Sequence, residues 1–225
     1  MDKIYTGFSQ LDKNVQIKRG EIVTLASRPA IGKTTFMCNL VKNTLDNQKI
    51  LFFSMQTKEH KAVNNLIEYA KKNNKKLYLE NELCEIDDVI LKTAELKIKQ
   101  GLDLVIIDNF NDFMCCSRYN EGDIVLKLKQ MALKLGVCIL IASTMARSEY
   151  FYATYCDIIH KTLLYKSDKI FVIYRPDLIY SEEDCEIECI QPNVAQVSLE
   201  KDVSSNWYGQ ASLKFDVNEL TFSEI

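Results

Sequence analysis

The most informative stretch of this 225-residue sequence is Ser27-Arg28-Pro29-Ala30-Ile31-Gly32-Lys33-Thr34. It follows a short apolar run and precedes helical sequence, and it matches the phosphate-binding P-loop pattern except that Ser27 replaces the first glycine. In such a loop, backbone N–H groups surround the phosphates, the lysine reaches the β and γ phosphates, and the threonine hydroxyl holds Mg²⁺. The pattern therefore predicts that these eight residues, together with Thr35, bind a nucleotide, with Lys33 on the phosphates and Thr34 on the metal.

A second motif supports the predicted metal site. It is the apolar run Leu104-Val105-Ile106-Ile107-Asp108, which ends in an acid. A carboxylate at the carboxyl end of a strand beside the P-loop strand can hold the water shell of Mg²⁺. Asp108 is therefore predicted to act with Thr34 as a metal ligand, and the expected cofactors are ATP and Mg²⁺.

Short apolar runs alternate with amphipathic stretches, which predicts an α/β fold with a mainly parallel central sheet flanked by helices. We expect strands at residues 21–27, 50–55, 104–108, 138–144 and 169–174. We expect helices at residues 33–45, 59–72, 87–99 and 123–135. Two apolar stretches near the C-terminus predict an antiparallel β-hairpin appended to the sheet, at residues 195–200 and 211–215. The pattern shows neither repeats nor linkers, so we expect a single domain over residues 1–225.

Composition excludes several classes of protein. With 47% hydrophobic residues, 7 glycines and 3 prolines, the chain is neither disordered nor fibrous. It has no apolar run of about 18 residues and no basic, apolar start, so a cytoplasmic protein is expected. The eight cysteines lack Cys-x-x-Cys spacing, which favours reduced thiols. A net charge of −3 argues against a small basic DNA-binding domain. Any DNA would therefore have to bind to a local basic patch or to a ring of subunits.

Further motifs surround the P-loop in a fixed order. They are Thr6-Gly7-Phe8-Ser9-Gln10-Leu11-Asp12, Phe52-Phe53-Ser54-Met55, the run ending at Asp108, Ala142-Ser143 with Arg147, and Asp168 ahead of Tyr174-Arg175. With the terminal hairpin, this order resembles the motor domain of DnaB-type replicative DNA helicases over nearly the whole chain. The resemblance implies a RecA-like P-loop NTPase fold. It also implies hexameric rings that move along single-stranded DNA, with ATP hydrolysed at the subunit interfaces.

The sequence departs from this family at three catalytic positions. Gln56 stands where the family has the glutamate that activates the attacking water, and an amide cannot take a proton near neutral pH. Thr144 replaces a glutamine sensor. In the family, a lysine and an arginine of the terminal hairpin reach the neighbouring subunit's nucleotide. Here Lys201 matches the lysine, but no arginine is near it. The resemblance therefore implies intact ATP binding through Lys33 and Asp108, with impaired hydrolysis.

The resemblance also suggests which residues contact DNA and the nucleotide base. Two loops expected to face the central channel contain Arg118 and Arg147, each with aromatic neighbours. Arginine with aromatic residues suits phosphate contact and base stacking, but Glu121 and Glu149 lie in the same loops, so a partner-binding or simply packed loop is the alternative. Arg175 is expected beside the base or at the subunit interface, with helix capping as the alternative.

The leading hypothesis is an ATP-binding helicase motor domain that acts weakly on single-stranded DNA in DNA replication. Its partners would be further copies of the chain or other replication proteins. Because the family's N-terminal domain and linker helix have no counterpart here, ring formation is expected to lose a main contact. The alternative is a non-enzymatic nucleotide-binding relative that binds a helicase, a loader or another protein. A third hypothesis is a RecA-like signalling ATPase of another branch. The presence of Arg28-Pro29 and Tyr174-Arg175 argues against it.

Overall fold

The structure is a computed structural model that describes residues 3–54, 60–82, 85–115, 117–146, 155–178, 191–204 and 209–225. Its strands are β1 Lys3–Ile4, β2 Ile17–Lys18, β3 Ile22–Ser27, β4 Ile50–Ser54, β5 Tyr78–Glu80, β6 Leu104–Asp108, β7 Cys138–Thr144, β8 Lys169–Tyr174, β9 Val194–Asp202, β10 Gly209–Asp216 and β11 Thr221–Glu224. The main sheet has the order β11-β10-β9-β8-β3-β7-β6-β4-β5, and β1 pairs with β2. The strands from β8 to β5 are parallel, and β9 to β11 add an antiparallel end.

Helices cover both faces of this sheet. They are α1 Ser9–Asn14, α2 Lys33–Thr44, α3 Lys61–Lys72, α4 Ile86–Gln100, α5 Phe110–Cys115, α6 Glu121–Leu135 and α7 Lys161–Lys166. The first three pack on one face, and α4 to α7 pack on the other. In β6, Leu104 and Ile106 face the first group, whereas Val105 and Ile107 face the second. Burial on both faces explains why the parallel strands are continuous apolar runs in the sequence.

The predicted fold class is confirmed, including the C-terminal hairpin. Each of the five predicted strands and four predicted helices is present, with ends within about two residues of those expected where they are described. The sequence analysis missed β1, β2, β5, β11, α1, α5 and α7. These elements have two to six residues, which is too short for a helical or strand periodicity to be recognised.

The Thr6–Asp12 motif forms a tight turn that joins the N-terminus to α2. The Asp12 carboxylate accepts hydrogen bonds from the Thr6 backbone N–H at 2.7 Å and from the Gly7 backbone N–H at 3.0 Å. Phe8 then stacks on Phe36 of α2, with ring centroids 5.0 Å apart. Gly7 has a φ of +77°, and a Cβ there would lie 2.4 Å from the Cβ of Asn43. The glycine therefore allows both the left-handed turn and the close approach of α2.

We expect the Gly7→Ala substitution to lower the free energy of unfolding by about 2–4 kcal/mol, because it adds a steric clash with α2 to an unfavourable backbone conformation. Urea denaturation measures the change. Gly136→Ala is the matched control, because Gly136 has a φ of +58° but no atom within 4 Å of an added Cβ. The control isolates the backbone cost of about 1–2 kcal/mol. Equal losses in the two variants would contradict the proposed close packing of Gly7 on α2.

The C-terminal strands fold back over α2, the helix that begins at the P-loop. Asn39 of α2 donates a hydrogen bond to the Leu220 carbonyl at 3.0 Å and accepts one from the Phe222 backbone N–H at 3.3 Å. Phe222 also packs edge-on against Phe36, with centroids 5.7 Å apart, and lies 3.5 Å from the position of a Cβ on Gly32. The end of the chain therefore forms part of the wall around the P-loop.

Candidate nucleotide site

The P-loop connects the buried strand β3 to α2, and its unusual backbone conformations lie at two positions. Gly32, immediately before α2, has a φ of +114°, and Ala30 has a φ of +64°. Ser27 is not among the described residues with positive φ, so its backbone does not need a glycine. Its hydroxyl donates a hydrogen bond to the Arg28 carbonyl at 2.8 Å. The replacement of the motif's first glycine is therefore compatible with the P-loop conformation.

A cavity of about 460 Å³ opens above this loop. It is lined by Pro29, Ala30, Ile31, Gly32, Lys33, Thr34, Thr35, His60, Asn109, Thr144, Arg175, Phe215 and Leu220. Most of the predicted nucleotide-binding residues thus surround one space. Ser27 lies behind the loop, fully buried at the end of β3.

Lys33 points back towards its own loop. Its ammonium donates to the Ser27 carbonyl at 3.3 Å and to the Ser27 hydroxyl at 3.2 Å. Burial lowers the pKa of Lys33 to about 8, and the nearby Asp108 carboxylate opposes this shift. Lys33 therefore remains mostly protonated at neutral pH, and its present partners are weak enough for a phosphate to replace them.

Asp108 is the most unusual acid in the described part of the chain. It is fully buried, and neither carboxylate oxygen makes a well-formed hydrogen bond among the described residues, although the Thr34 hydroxyl lies close enough to act on its pKa. Burial raises its pKa to about 6, with the neighbouring Thr34 and Lys33 partly offsetting the rise. A buried carboxylate beside a threonine hydroxyl suits a hard cation such as Mg²⁺, which prefers oxygen ligands and keeps several of its waters. Thr34 and Asp108 therefore fit the predicted metal site.

We expect the Asp108→Asn substitution to stabilise the protein when Mg²⁺ and nucleotide are absent. Because the folded-state pKa of Asp108 is raised, the folded chain binds more protons than the unfolded chain between about pH 4 and 6, so stability falls as pH rises through this range. Removing the buried charge should raise the free energy of unfolding at pH 7 by on the order of 2 kcal/mol, and by much less at pH 4. Urea denaturation at the two pH values measures this. An equal effect at both would show that the charge of Asp108 is not the cause.

Arg175 lies at the other end of the cavity, just after β8. Its guanidinium is 2.7 Å from the Asp177 carboxylate and stacks over Phe215, 4.5 Å from the ring centroid. Arg175 is also buried, with 6% of its surface exposed. These contacts hold a flat, cationic surface against the cavity, which is suitable for a nucleotide base. The Arg175 guanidinium is held within its own chain by the loop that follows β8.

The other predicted site residues lie in different places. Thr144 lines the cavity, and its backbone N–H donates to Asn111 at 3.2 Å. Lys201 lies near the opposite end of the sheet from the P-loop, where its ammonium donates to the carbonyls of Leu164 and Tyr165, each at 3.0 Å. It therefore cannot serve the nucleotide of its own chain. Gln56 and Arg147 lie outside the described residues.

Arg118 is on the surface, 65% exposed, but its charge is already paired. Its guanidinium lies 3.0 Å from Glu85 and 3.2 Å from Asp87. Asp87 also accepts hydrogen bonds from Lys127 at 2.7 Å and from Tyr119 at 2.8 Å, and these contacts lower the pKa of its carboxyl to about 2. A DNA phosphate that binds Arg118 must compete with two carboxylates.

The sequence analysis did not identify four residues that line the cavity. Asn109 directly follows β6, so its position after an apolar run was a usable signal, whereas His60 is separated from the end of β4 by several residues and gives no such signal. Phe215 and Leu220 reach the cavity only because the C-terminal strands fold back over α2. No local pattern in the sequence indicates that packing.

Comparison with known proteins agrees with this geometry. A family model, the DnaB-like helicase C terminal domain, matches residues 3–88. The replicative DNA helicase DnaB of Geobacillus stearothermophilus is 24% identical over 181 residues, which cover 64% of this chain and 40% of that protein. Residues 3–88 are therefore similar to the C-terminal domain of DnaB-type helicases. A probable plasmid replicative DNA helicase of Chlamydia psittaci is similarly related, at 25% identity over 182 residues that cover 65% of this chain and 40% of that protein.

Solved structures share the fold of this chain over almost its whole length. The TM-score is 0.83 with a DnaB-like replicative helicase described with its interactions with primase, at 20% identity, covering 99% of this chain and 62% of that chain. It is 0.80 with a second solved structure, which is described as an ATPase domain, at 20% identity, covering 99% of this chain and 91% of that chain. The chain spans about two fifths of the length of the curated relatives it matches. Every helix in the described residues is too short or too polar to cross a membrane.

Proposed function

We propose that this chain is a single helicase motor domain that binds ATP with Mg²⁺ and acts on single-stranded DNA during replication in the cytoplasm. One observation carries the proposal: Lys33 and Thr34 line the P-loop cavity, and the fully buried Asp108 carboxylate lies next to them without a well-formed hydrogen bond among the described residues. A buried carboxylate without partners is costly unless a ligand compensates it. A magnesium nucleotide would supply that compensation: Asp108 and Thr34 would hold its cation, and Lys33 and the loop amides would bind its phosphates.

The proposed motor hydrolyses ATP slowly. Gln56 can orient a water but cannot deprotonate it, and Thr144 is shorter than the glutamine it replaces. Charge stabilisation of the transition state would come from Lys201 of a neighbouring subunit alone. The position of Lys201 at the far end of the sheet is consistent with action on a neighbour. To act there, it must leave the two carbonyls that it now contacts.

We expect weak binding of single-stranded DNA with a shallow dependence on salt. Each neutralised phosphate contributes about −0.7 to the slope of log K against log salt, and Arg118 must first leave Glu85 and Asp87. A slope of about −1 to −2 per subunit is therefore expected for a labelled oligonucleotide measured by fluorescence anisotropy.

The double variant Arg118→Ala, Arg147→Ala should lose most of this binding. Lys71→Ala, Lys72→Ala is the matched control, because it removes the same charge from the exposed end of α3. Equal affinity in the parent and the arginine double variant would remove both loops from the proposed DNA contact.

The second candidate is a non-enzymatic relative in which bound nucleotide stabilises a protein-binding domain. The pairing of Arg118 with two acids favours it, because that loop is already electrostatically satisfied without DNA. A steady-state ATPase assay with and without single-stranded DNA separates the two candidates. Hydrolysis that DNA stimulates supports the motor, whereas nucleotide binding with no turnover and no response to DNA supports the second candidate.

A further inference from the structure

His60 lines the P-loop cavity at the start of α3. It is the residue before α3, and its carbonyl accepts hydrogen bonds from the backbone N–H groups of Val63 at 3.0 Å and Asn64 at 3.1 Å. These bonds fix its backbone at the start of the helix. Its side chain does not cap that helix, which is the usual role of a polar residue at this position.

The imidazole of His60 is incompletely satisfied. Its Nδ1 is buried and has no hydrogen-bond partner among the described residues, while the residue as a whole is only partly buried and lines the cavity. Buried polar atoms in folded proteins nearly always have a partner, so an exception beside an open cavity points to a missing ligand. Burial also lowers the pKa of His60, so the ring is a neutral donor and acceptor in the free protein.

The order of the sheet indicates which part of a nucleotide His60 would meet. His60 follows β4, which pairs with β6 so that Ser54 lies beside Asp108. Arg175 follows β8, on the other side of β3. His60 therefore lies towards the metal-binding acid, where the terminal phosphate is expected, and Arg175 lies towards the base.

We propose that His60 donates a hydrogen bond to the terminal phosphate of a bound nucleoside triphosphate. This inference rests on the proposed nucleotide-binding function and adds a contact to it. A donor at this position would distinguish the triphosphate from the diphosphate, because only the triphosphate has a γ-phosphate to accept its hydrogen bond. His60 would therefore make the domain sensitive to the state of the nucleotide at a site where Gln56 and Thr144 are weak substitutes.

Calorimetric titration with Mg²⁺ and either ADP or the non-hydrolysable triphosphate AMP-PNP tests the proposal. His60→Ala should weaken AMP-PNP binding about tenfold, which is the usual effect of losing a hydrogen bond to a charged group, and ADP binding less than twofold. His60→Asn should restore part of the difference, because its amide nitrogen can occupy the position of Nδ1. Thermal unfolding of each free variant shows whether it is folded, and His60→Gln provides a further folded variant if the alanine variant is not.

Two controls separate this inference from the function on which it rests. His160 is the only other histidine in the sequence and lies away from the cavity, with its Nδ1 3.1 Å from Glu121, so His160→Asn should change neither affinity. Lys33→Ala should abolish binding of both nucleotides. Suppose that Lys33→Ala abolishes binding of both nucleotides, but the His60 variants keep the parental ratio of AMP-PNP to ADP affinity. The proposed role of His60 is then wrong, while the nucleotide site is supported. If Lys33→Ala leaves both affinities unchanged, the proposed function itself fails.

Discussion

Replacing Lys33 with alanine is expected to remove nearly all the thermal stabilisation that a magnesium nucleotide gives this protein. At 100 times its dissociation constant, a nucleotide adds about 2.7 kcal/mol to the free energy of unfolding, which corresponds to a rise of roughly 5–10 °C in Tm for a chain of this size. Lys33 is partly buried, and its ammonium makes only long hydrogen bonds to Ser27, so it can move to the phosphates with little rearrangement. Differential scanning fluorimetry with and without Mg²⁺-ATP measures the loss.

Lys42→Ala is the matched control for this experiment. Lys42 lies on the same helix, α2, but its ammonium stacks over Tyr69, 4.9 Å from the ring centroid, and it does not line the P-loop cavity. The control should keep the full nucleotide-dependent rise in Tm. An undiminished rise in Lys33→Ala would mean that the nucleotide binds somewhere else.

The second large effect is expected in ATP turnover. Gln56→Glu restores a group that can take a proton from the attacking water, and general-base help is typically worth about 10²- to 10⁴-fold. We expect a smaller rise in the isolated chain, because it still lacks the positive charge that stabilises the transition state. Lys201 can stabilise the transition state only from a neighbouring subunit, after leaving the carbonyls of Leu164 and Tyr165.

Steady-state phosphate release measures this gain, and Glu59→Gln is the control for a substitute base a few residues further along the chain. The expected result is slow turnover in the parent, a partial rise in Gln56→Glu and no change in Glu59→Gln. Fast, DNA-stimulated hydrolysis in the parent that Glu59→Gln abolishes and Gln56→Glu leaves unchanged would overturn the impaired-motor interpretation.

The sequence was most informative where local chemistry and burial coincide. The β3 and β6 strands are recognisable because burial on both faces demands continuous apolar runs, and the P-loop and Asp108 follow directly from where these runs end. The edge strand β5 is only partly buried and carries no such pattern. β11 was missed because it is four residues long. Its packing on α2 depends on contacts between residues more than 180 positions apart.

The residues of the candidate site were likewise predictable only where local sequence chemistry identifies them. Motif chemistry identifies Lys33, Thr34 and Asp108 from their own neighbours in the sequence. By contrast, His60 is defined by a missing hydrogen-bond partner, and the pairing of Arg118 with Glu85 depends on how α4 packs beside α6. Such features arise from tertiary packing, which a single sequence does not reveal.

The contact between the last strand and the P-loop helix has a consequence for synthesis on the ribosome. Gly32 and Asn39 are synthesised more than 180 residues before Leu220 and Phe222, which complete the wall of their cavity. At about 5–20 residues per second, roughly 10–40 s separate the two ends of this contact. During that interval the nascent chain exposes the aromatic surface of α2 and lacks a finished cavity, so nucleotide cannot yet stabilise it. Nucleotide would therefore act on this protein only after Leu220 and Phe222 have packed on α2, as a ligand that traps the completed fold.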